Sequence, residues 1–337
     1  MSAENVEESF HLHLEAIQLL QNALETSYLD AYIENIENIN DHYQVRIVDG
    51  VPKQSTVEEL DRIYQKLQGI SLEKEERRKL SQLLLLKGMQ TEPLQPNHQL
   101  TPDSIGFLFV FLLEQLYPEK DSLKTIADLT SGMGNLLFTV LTNLEVAGYH
   151  LHGFGVDNDE TMLAVAASNS QWIPTDVTLF HQDAATDLLM DPTDAVFSDL
   201  PVGYYPMDEN AKKFDTAAEE DHSFAHHLLI EQGMKYVKED GFGLFLVPTN
   251  FLETDQSEYL KKWLVDKVYL QGIIQLPDEL FKNKAASKSI LILQQKGETA
   301  KQVPEVLLAK VASLKEPSQV TTFFKEFKEW QSANMAN

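Results

Sequence analysis

Between residues 124 and 295 the chain repeats one pattern, and that pattern sets the fold. Seven short runs rich in branched and aromatic residues are "KTIADL", "YHLHGFGVD", "VTLFHQD", "DAVFSDLP", "FGLFLVPTNF", "VYLQGIIQLP" and "KSILILQQ". Segments with helical spacing separate most of them: "LLFTVLTNLEVAG", stopped by Gly148, "DETMLAVAASNSQW", "HSFAHHLLIEQGMKYVKEDG", stopped at Gly241, and "SEYLKKWLVDK". Strands that alternate with helices argue for a parallel sheet. They predict an α/β fold with a doubly wound, mostly parallel, seven-stranded sheet covered on both faces. Ligands of such sheets sit beyond the carboxyl ends of the strands.

The first hundred residues differ. Phe10, Leu14, Ile17, Leu20 and Leu24 keep helical spacing, which predicts one long helix over residues 5 to about 40. "YQVRIVDGVPKQST", with Gly50 and Pro52, is a turn. Helical spacing returns over 56 to 89 through Leu60, Ile63, Leu67, Leu80, Leu83 and Leu84. The proline-rich stretch 88 to 102 is a linker. The division expected is a helical unit at 1–95 and an α/β domain at 96–337, ending in a docking helix around "VTTFFKEFKEW". An isolated amphipathic unit must cover its apolar face, and a homodimer is one way to do so.

Charge limits the partners. With 27 basic and 52 acidic residues the formal charge is -25, which repels phosphate backbones. The one basic run, "EKEERRKL" at 73–80, carries its own glutamates and is read as a salt-bridged helix face. There is no cysteine, so disulfides and thiolate metal sites are excluded. The acidic start has no continuous apolar core, and the longest apolar runs are too short to span a bilayer. A cytoplasmic protein without a membrane partner is expected.

Acids and glycines fall where a sheet of this kind binds ligands. "DLTSGMGN" places Asp128, Gly132, Gly134 and Asn135 between the first strand and its helix. Glycines there let a ligand approach the backbone and the helix N–H groups. Asp157 ends the second strand, where a carboxylate can meet ribose hydroxyls. Asp183 follows the third, where it can accept from an adenine amino group. Three acids at successive strand ends favour a nucleoside pocket. A dinucleotide fingerprint does not fit, because Leu137 stands where a third glycine is required.

On these motifs the segment from about 98 to 296 resembles class I S-adenosylmethionine-dependent methyltransferases, above all adenine-N6 DNA methyltransferases of the type I modification-subunit kind. "QLTPDSI" is similar to that family's TP-x-x-I segment, "DLTSGMGNLL" to its DPACGTGNLL loop, and "GVDNDETMLAVAASN" to its ribose-binding turn. "GFGLFLVPTNFL" and "IIQLPDELFKNKAASKSILIL" resemble its later strands and LP-x-x-LF turn. The resemblance implies S-adenosylmethionine as cofactor. It implies that Thr101, Pro102, Asp128, Thr130, Gly132, Gly134, Asn135, Asp157, Asn158, Asp183 and Ala184 bind it.

"AVFSDLPVGYYP" aligns with the family's [N/D]-P-P-[Y/F] tetrapeptide. There the first side chain and the next carbonyl accept hydrogen bonds from the target amine, and the fourth residue stacks on the base. Here the four residues are Asp199, Leu200, Pro201 and Val202. Asp199 keeps an anionic acceptor. The first proline is gone, and Val202 cannot stack. Tyr204 or Tyr205 can take the stacking role, or pack into the protein. Catalytic roles are therefore expected for Asp199, the Leu200 carbonyl, Pro201 and Tyr204. The implied activity is N-methyl transfer to adenine, or to an amine on a protein or small molecule. The altered tetrapeptide leaves an alternative, a catalytically inactive methyltransferase fold that senses cofactor or binds partners. Residues 207–223 read as a lid over the pocket. His222, His226 and His227 read as helix-surface or capping residues, and no metal is expected.

Overall fold

The computed structural model describes residues 2–220, 222–283 and 286–335. Four helices come first: α1 Ser2–Leu24, α2 Tyr28–Asn40, α3 Gln54–Gln68 and α4 Lys74–Thr91. The single helix expected over 5–40 is two. Glu25 adopts a left-handed φ of 52°, and the Ser27 side chain accepts from the Asp30 N–H, so a new helix is capped where hydrophobic spacing alone reads through. Glu73 and Glu76 form a reciprocal capping box that starts α4.

The α/β part then runs α5 Asp103–Leu116, β1 Thr125–Asp128, α6 Asn135–Val146, β2 His152–Asp157, α7 Glu160–Trp172, β3 Val177–His181, β4 Thr193–Asp199, α8 Asp208–Ala211 and α9 Ala225–Lys235. It continues through β5 Val237–Pro248, α10 Ser257–Lys267, β6 Val268–Gln275, β7 Lys288–Gln295, β8 Leu307–Lys310 and α11 Pro317–Asn334. The sheet order is β3-β2-β1-β4-β5-β7-β6-β8. Only β7 runs against its neighbours. The sheet has eight strands rather than seven. The extra one, β8, is a four-residue edge strand with every second residue exposed, too short to register as a strand in the sequence. Helix α9 stops at Lys235, six residues before Gly241, which lies inside β5.

The central strands are buried on both faces, as parallel central strands must be. Ala195, Phe197, Leu244, Leu246, Ile290 and Ile292 point to one core, with residues of α5, α6 and α11. Val196, Phe245, Val247, Leu291 and Leu293 point to the other, with α9 and α10. The two sets alternate along each strand with a period of two. Helix α11 docks by burying Phe323 and Phe327, while Phe324 stacks on Phe111 with centroids 3.7 Å apart.

The N-terminal helices do not close their own core. Ile17, Tyr32 and Leu84 share one apolar cluster with Phe138 of α6 and with Val165 and Trp172 of α7. The Tyr32 hydroxyl donates to Asn169 at 2.6 Å, and Arg78 reaches Asp103 and Thr139. The apolar face that suggested a homodimer is covered within the chain.

Candidate active site

The sheet reverses winding direction between β1 and β4, and the carboxyl ends of β1, β2 and β4 open onto that crevice. Asp128, Asp157 and Asp199 are the last residues of these three strands. The loop after β1 folds back over them. Gly132 and Gly134 both adopt left-handed φ, 51° and 82°, a conformation that favours glycine. Nothing lies within 4 Å of where a Cβ on Gly132 would stand, so the loop presents bare backbone to open space. Gly134 caps α6, whose first residue, Asn135, donates to the Thr101 carbonyl at 2.6 Å.

Asp157 ties the loop to β2. Its two oxygens accept from the Gly132 N–H at 2.7 Å and the Asp159 N–H at 2.9 Å. Burial pushes its carboxyl up from the ordinary range. Asp128 is buried and accepts from the Thr130 N–H at 3.1 Å. Burial first, then the nearby charges of Asp199 and Asp157, push it up to about 7. Among the described residues neither Asp128 nor Asp157 has a Lys or Arg within ion-pair distance. A buried carboxylate without a cation is costly, and its cost depends on pH. The unfolded carboxyl ionises near 3.9 and the folded one near 7. This group's contribution to stability is therefore full below about pH 4 and lost as pH rises through 7. Asp128→Asn is expected to be more stable than the wild type above pH 7, by up to about 4 kcal/mol, with little gain at pH 4. Urea midpoints at the two pH values check this.

Asp199 is the most heavily partnered of the three. Thr101 Oγ1 donates to its Oδ2 at 2.9 Å, and Lys288 Nζ pairs with its Oδ1. The Thr130 hydroxyl donates to its backbone carbonyl at 3.1 Å. The next residue, Leu200, is buried, and its N–H is held by the Leu246 carbonyl at 3.1 Å. Thr101, Thr130 and Asn135, expected on the cofactor, brace the Asp199 end of the site in this structure. Pro102 caps the start of α5, and the Asn158 carbonyl lies 3.1 Å from His181 Nε2.

Asp183 and the two tyrosines divide differently from expectation. Tyr205 is buried and donates to Asp183 Oδ2 at 2.5 Å, and Asp183 Oδ1 accepts from the Ala185 N–H. Both Asp183 oxygens therefore already hold donors from the chain, beside buried Ala184. Tyr204 is 60% exposed, and its ring stacks on Phe224 with centroids 4.8 Å apart. Exposed Val202 hydrogen-bonds through both backbone groups to the side chain of Asn97.

Two readings need correction. Residues 207–223 do not form an unattached lid, because Phe214, Thr216 and Ser223 are buried and Glu231 of α9 accepts from the Thr216 N–H. The histidines are not on a helix surface. His222 precedes α9 and pairs with Asp208, whereas His226 and His227 are buried in its first turn. Burial pushes both imidazoles down, to about 3 and 4. Among the described residues no group of three or more His, Asp or Glu gathers as a metal site, and no helix is long and apolar enough to cross a membrane.

Sequence reasoning missed Lys288 and Asn97. Because β7 runs antiparallel to β5, its first residue, Lys288, sits opposite Pro248, the last of β5, among the carboxyl ends of the parallel strands. The signal was a lysine opening the last strand legible in the sequence, β7. Its meaning required knowing that this strand is reversed.

The comparisons agree with this architecture. A family model described as N-6 DNA Methylase matches residues 95–329, and one described as the YtxK N-terminal helical domain matches 7–89. The chain is 37% identical over 332 residues to the uncharacterised protein YtxK of Bacillus subtilis, covering 98% of each. It superposes with a TM-score of 0.88 and 41% identity on a Listeria monocytogenes structure described as a candidate class I S-adenosylmethionine-dependent methyltransferase, covering 97% of this chain and 99% of that one. A type I restriction-modification methyltransferase subunit from Streptococcus thermophilus matches in fold, with a TM-score of 0.66 at 14% identity, over 93% and 73% of the two chains. The chain belongs to the N-6 DNA methylase family and carries a YtxK-type helical domain at its N-terminus.

Proposed function

We propose that the protein is an S-adenosylmethionine-dependent N-methyltransferase. The observation that carries this reading is the convergence of Asp128, Asp157 and Asp199 beside the bare backbone at Gly132. The donor set fits that cofactor. Asp128 is buried and Asp157 half-buried, neither has a Lys or Arg within ion-pair distance among the described residues, and S-adenosylmethionine brings a sulfonium and an ammonium. When bound, it supplies an electrophilic methyl group. Asp157 and the loop it braces hold the adenosyl part, and Asp128 offsets positive charge. Asp199 and the Leu200 carbonyl accept from the acceptor's N–H groups and keep its lone pair available. An anionic Asp199 stabilises the positive charge that grows on that nitrogen.

The family's acceptor is the adenine amino group. Tyr204, stacked on Phe224, offers an exposed aromatic face next to the tetrapeptide, in place of the stacking residue that Val202 cannot be. Charge of -25 weighs against duplex DNA and favours a base or amine presented outside it. Transfer of labelled methyl to adenine nucleotides, single-stranded DNA and cell extract, with Asp199→Ala as the control, tests the reading. Label that enters no acceptor would reject it.

Binding is expected to depend on Asp128. A cation near that carboxyl favours its ionised form, so affinity should rise as pH increases through about 7, with proton release on binding. Calorimetry in buffers of different ionisation enthalpy measures the release, and Asp128→Asn should remove it.

One observation favours a second reading. Lys288 and Thr101 already place one donor on each Asp199 oxygen, so an acceptor amine has to share an oxygen with one of them or displace it. A fold that binds S-adenosylmethionine without transferring its methyl would have no reason to release Lys288. In that case the labelled methyl stays on the cofactor although the cofactor binds.

A further inference from the structure

A cavity of about 300 Å³ opens far from the strand ends, between α1, α2, the start of α4 and the last turn of α7. That volume lies at the lower bound for small-molecule sites. Its wall is mainly polar and includes Ser9, His13, Asn40, Arg77, Gln171 and Trp172.

Arg77 is the anchor. Its Nε donates to the Leu72 carbonyl at 3.2 Å and its Nη1 to the Trp172 carbonyl at 3.0 Å. These two bonds fix the plane of the guanidinium. Three of its five N–H groups remain. In a chain with 52 acidic residues, no carboxylate among the described residues stands within ion-pair distance of it. The C-terminal end of α7 offsets only about half a charge. A half-buried arginine held in place without a counter-anion is a preformed anion receptor.

Two more donors accompany it. Ser9 is 1% exposed, and its hydroxyl has no hydrogen-bond partner. Buried groups of this kind are nearly always satisfied, so an orphan in a cavity wall points to a missing acceptor. His13 is also buried. Asn35 uses its Oδ1 to accept from Tyr64 and its Nδ2 to donate to His13 Nδ1 at 2.9 Å. The imidazole therefore carries its proton on Nε2, a further donor. Burial pushes this histidine down to about 3, so it stays neutral. The Asn40 amide donates to the Ser168 carbonyl, which leaves its oxygen as an acceptor at the edge.

We propose that this seam between the helical unit and α7 is a binding site for a small polar monocarboxylate. The carboxylate lies against the Arg77 guanidinium, and the Ser9 hydroxyl donates to it. A single cation with neutral donors matches one negative charge. Phosphate, with its second charge, would be left with an uncompensated anion. Large apolar acids do not suit a mainly polar wall.

The test uses full-length protein without S-adenosylmethionine, so its outcome is independent of the methyltransferase reading. Acetate, lactate and inorganic phosphate are titrated separately at constant ionic strength. Tryptophan fluorescence, to which the wall residue Trp172 contributes beside Trp263 and Trp330, reports binding, and the urea midpoint reports linkage. Expected are saturable binding of acetate or lactate, a higher urea midpoint at saturation, and at least about tenfold weaker binding in Arg77→Gln. Ser9→Ala, which removes only the orphan hydroxyl, should also weaken binding while folding normally. Lys79→Gln, on the exposed face of the same helix, should not. No saturable response to either carboxylate, equal binding in Ser9→Ala and wild type, or tighter binding of phosphate would overturn the proposal.

Discussion

Replacing Arg78 with alanine is expected to destabilise the protein by about 3 kcal/mol, at the lower edge of the range for breaking a buried ion pair. The side chain is 2% exposed. Its fork meets Glu75 at 2.7 and 2.8 Å, Asp103 at 3.0 and 2.9 Å, and the Thr139 hydroxyl at 3.0 Å. One residue thus links α4 to the start of α5 and the middle of α6. Without it Asp103 loses its cation and Glu75 keeps only the exposed Lys79, at 3.9 Å. Both carboxylates are about a quarter exposed, at 25% and 26%, so they can rehydrate in part, which holds the loss near the lower edge. Asp103 also keeps the favourable field of its helix N-terminus. Arg78→Lys should recover little, because an ammonium cannot serve two carboxylates and a hydroxyl in one plane. Urea denaturation followed by circular dichroism measures both. A loss below about 1 kcal/mol in Arg78→Ala would mean that the network behaves as an ordinary surface ion pair.

The second large effect concerns chemistry. Asp199→Ala is expected to lower the rate of methyl transfer by about 10²–10³-fold, the typical cost of deleting a preorganised group that stabilises transition-state charge. Affinity for S-adenosylmethionine should change little, because Asp128, Asp157 and the glycine turn stay in place. The variant also frees Lys288, leaving a cation where positive charge must develop, which deepens the loss. Single-turnover rates with labelled cofactor separate transfer from binding. A rate within about threefold of wild type would remove Asp199 from the mechanism.

Much of this was legible in the chain. The strand runs and the acids that end β1, β2 and β4 were readable because a buried parallel strand leaves a continuous apolar signature and its first polar residue marks the exit. The glycine turn was readable because left-handed φ at Gly132 and Gly134 favours glycine. What escaped depends on contacts distant in sequence. "EKEERRKL" was readable as a salt-bridged helix, yet nothing local shows Arg78 turning inward to Asp103. The helix break at Glu25 and Ser27 is a capping event inside an unbroken apolar spacing. Lys288 reaches Asp199 only because β7 is inverted. Tyr204 and Tyr205 are adjacent, so only the path of the loop decides that one is exposed and the other is bonded to Asp183.

The most direct test of the account is a calorimetric titration of the purified protein with S-adenosylmethionine and with S-adenosylhomocysteine, repeated on Asp157→Ala. The account predicts a saturable one-to-one heat for the wild type and its loss in a variant that still folds, since Asp157 holds Gly132 in place. Undiminished affinity in Asp157→Ala, or no heat with either compound in the wild type, would contradict it.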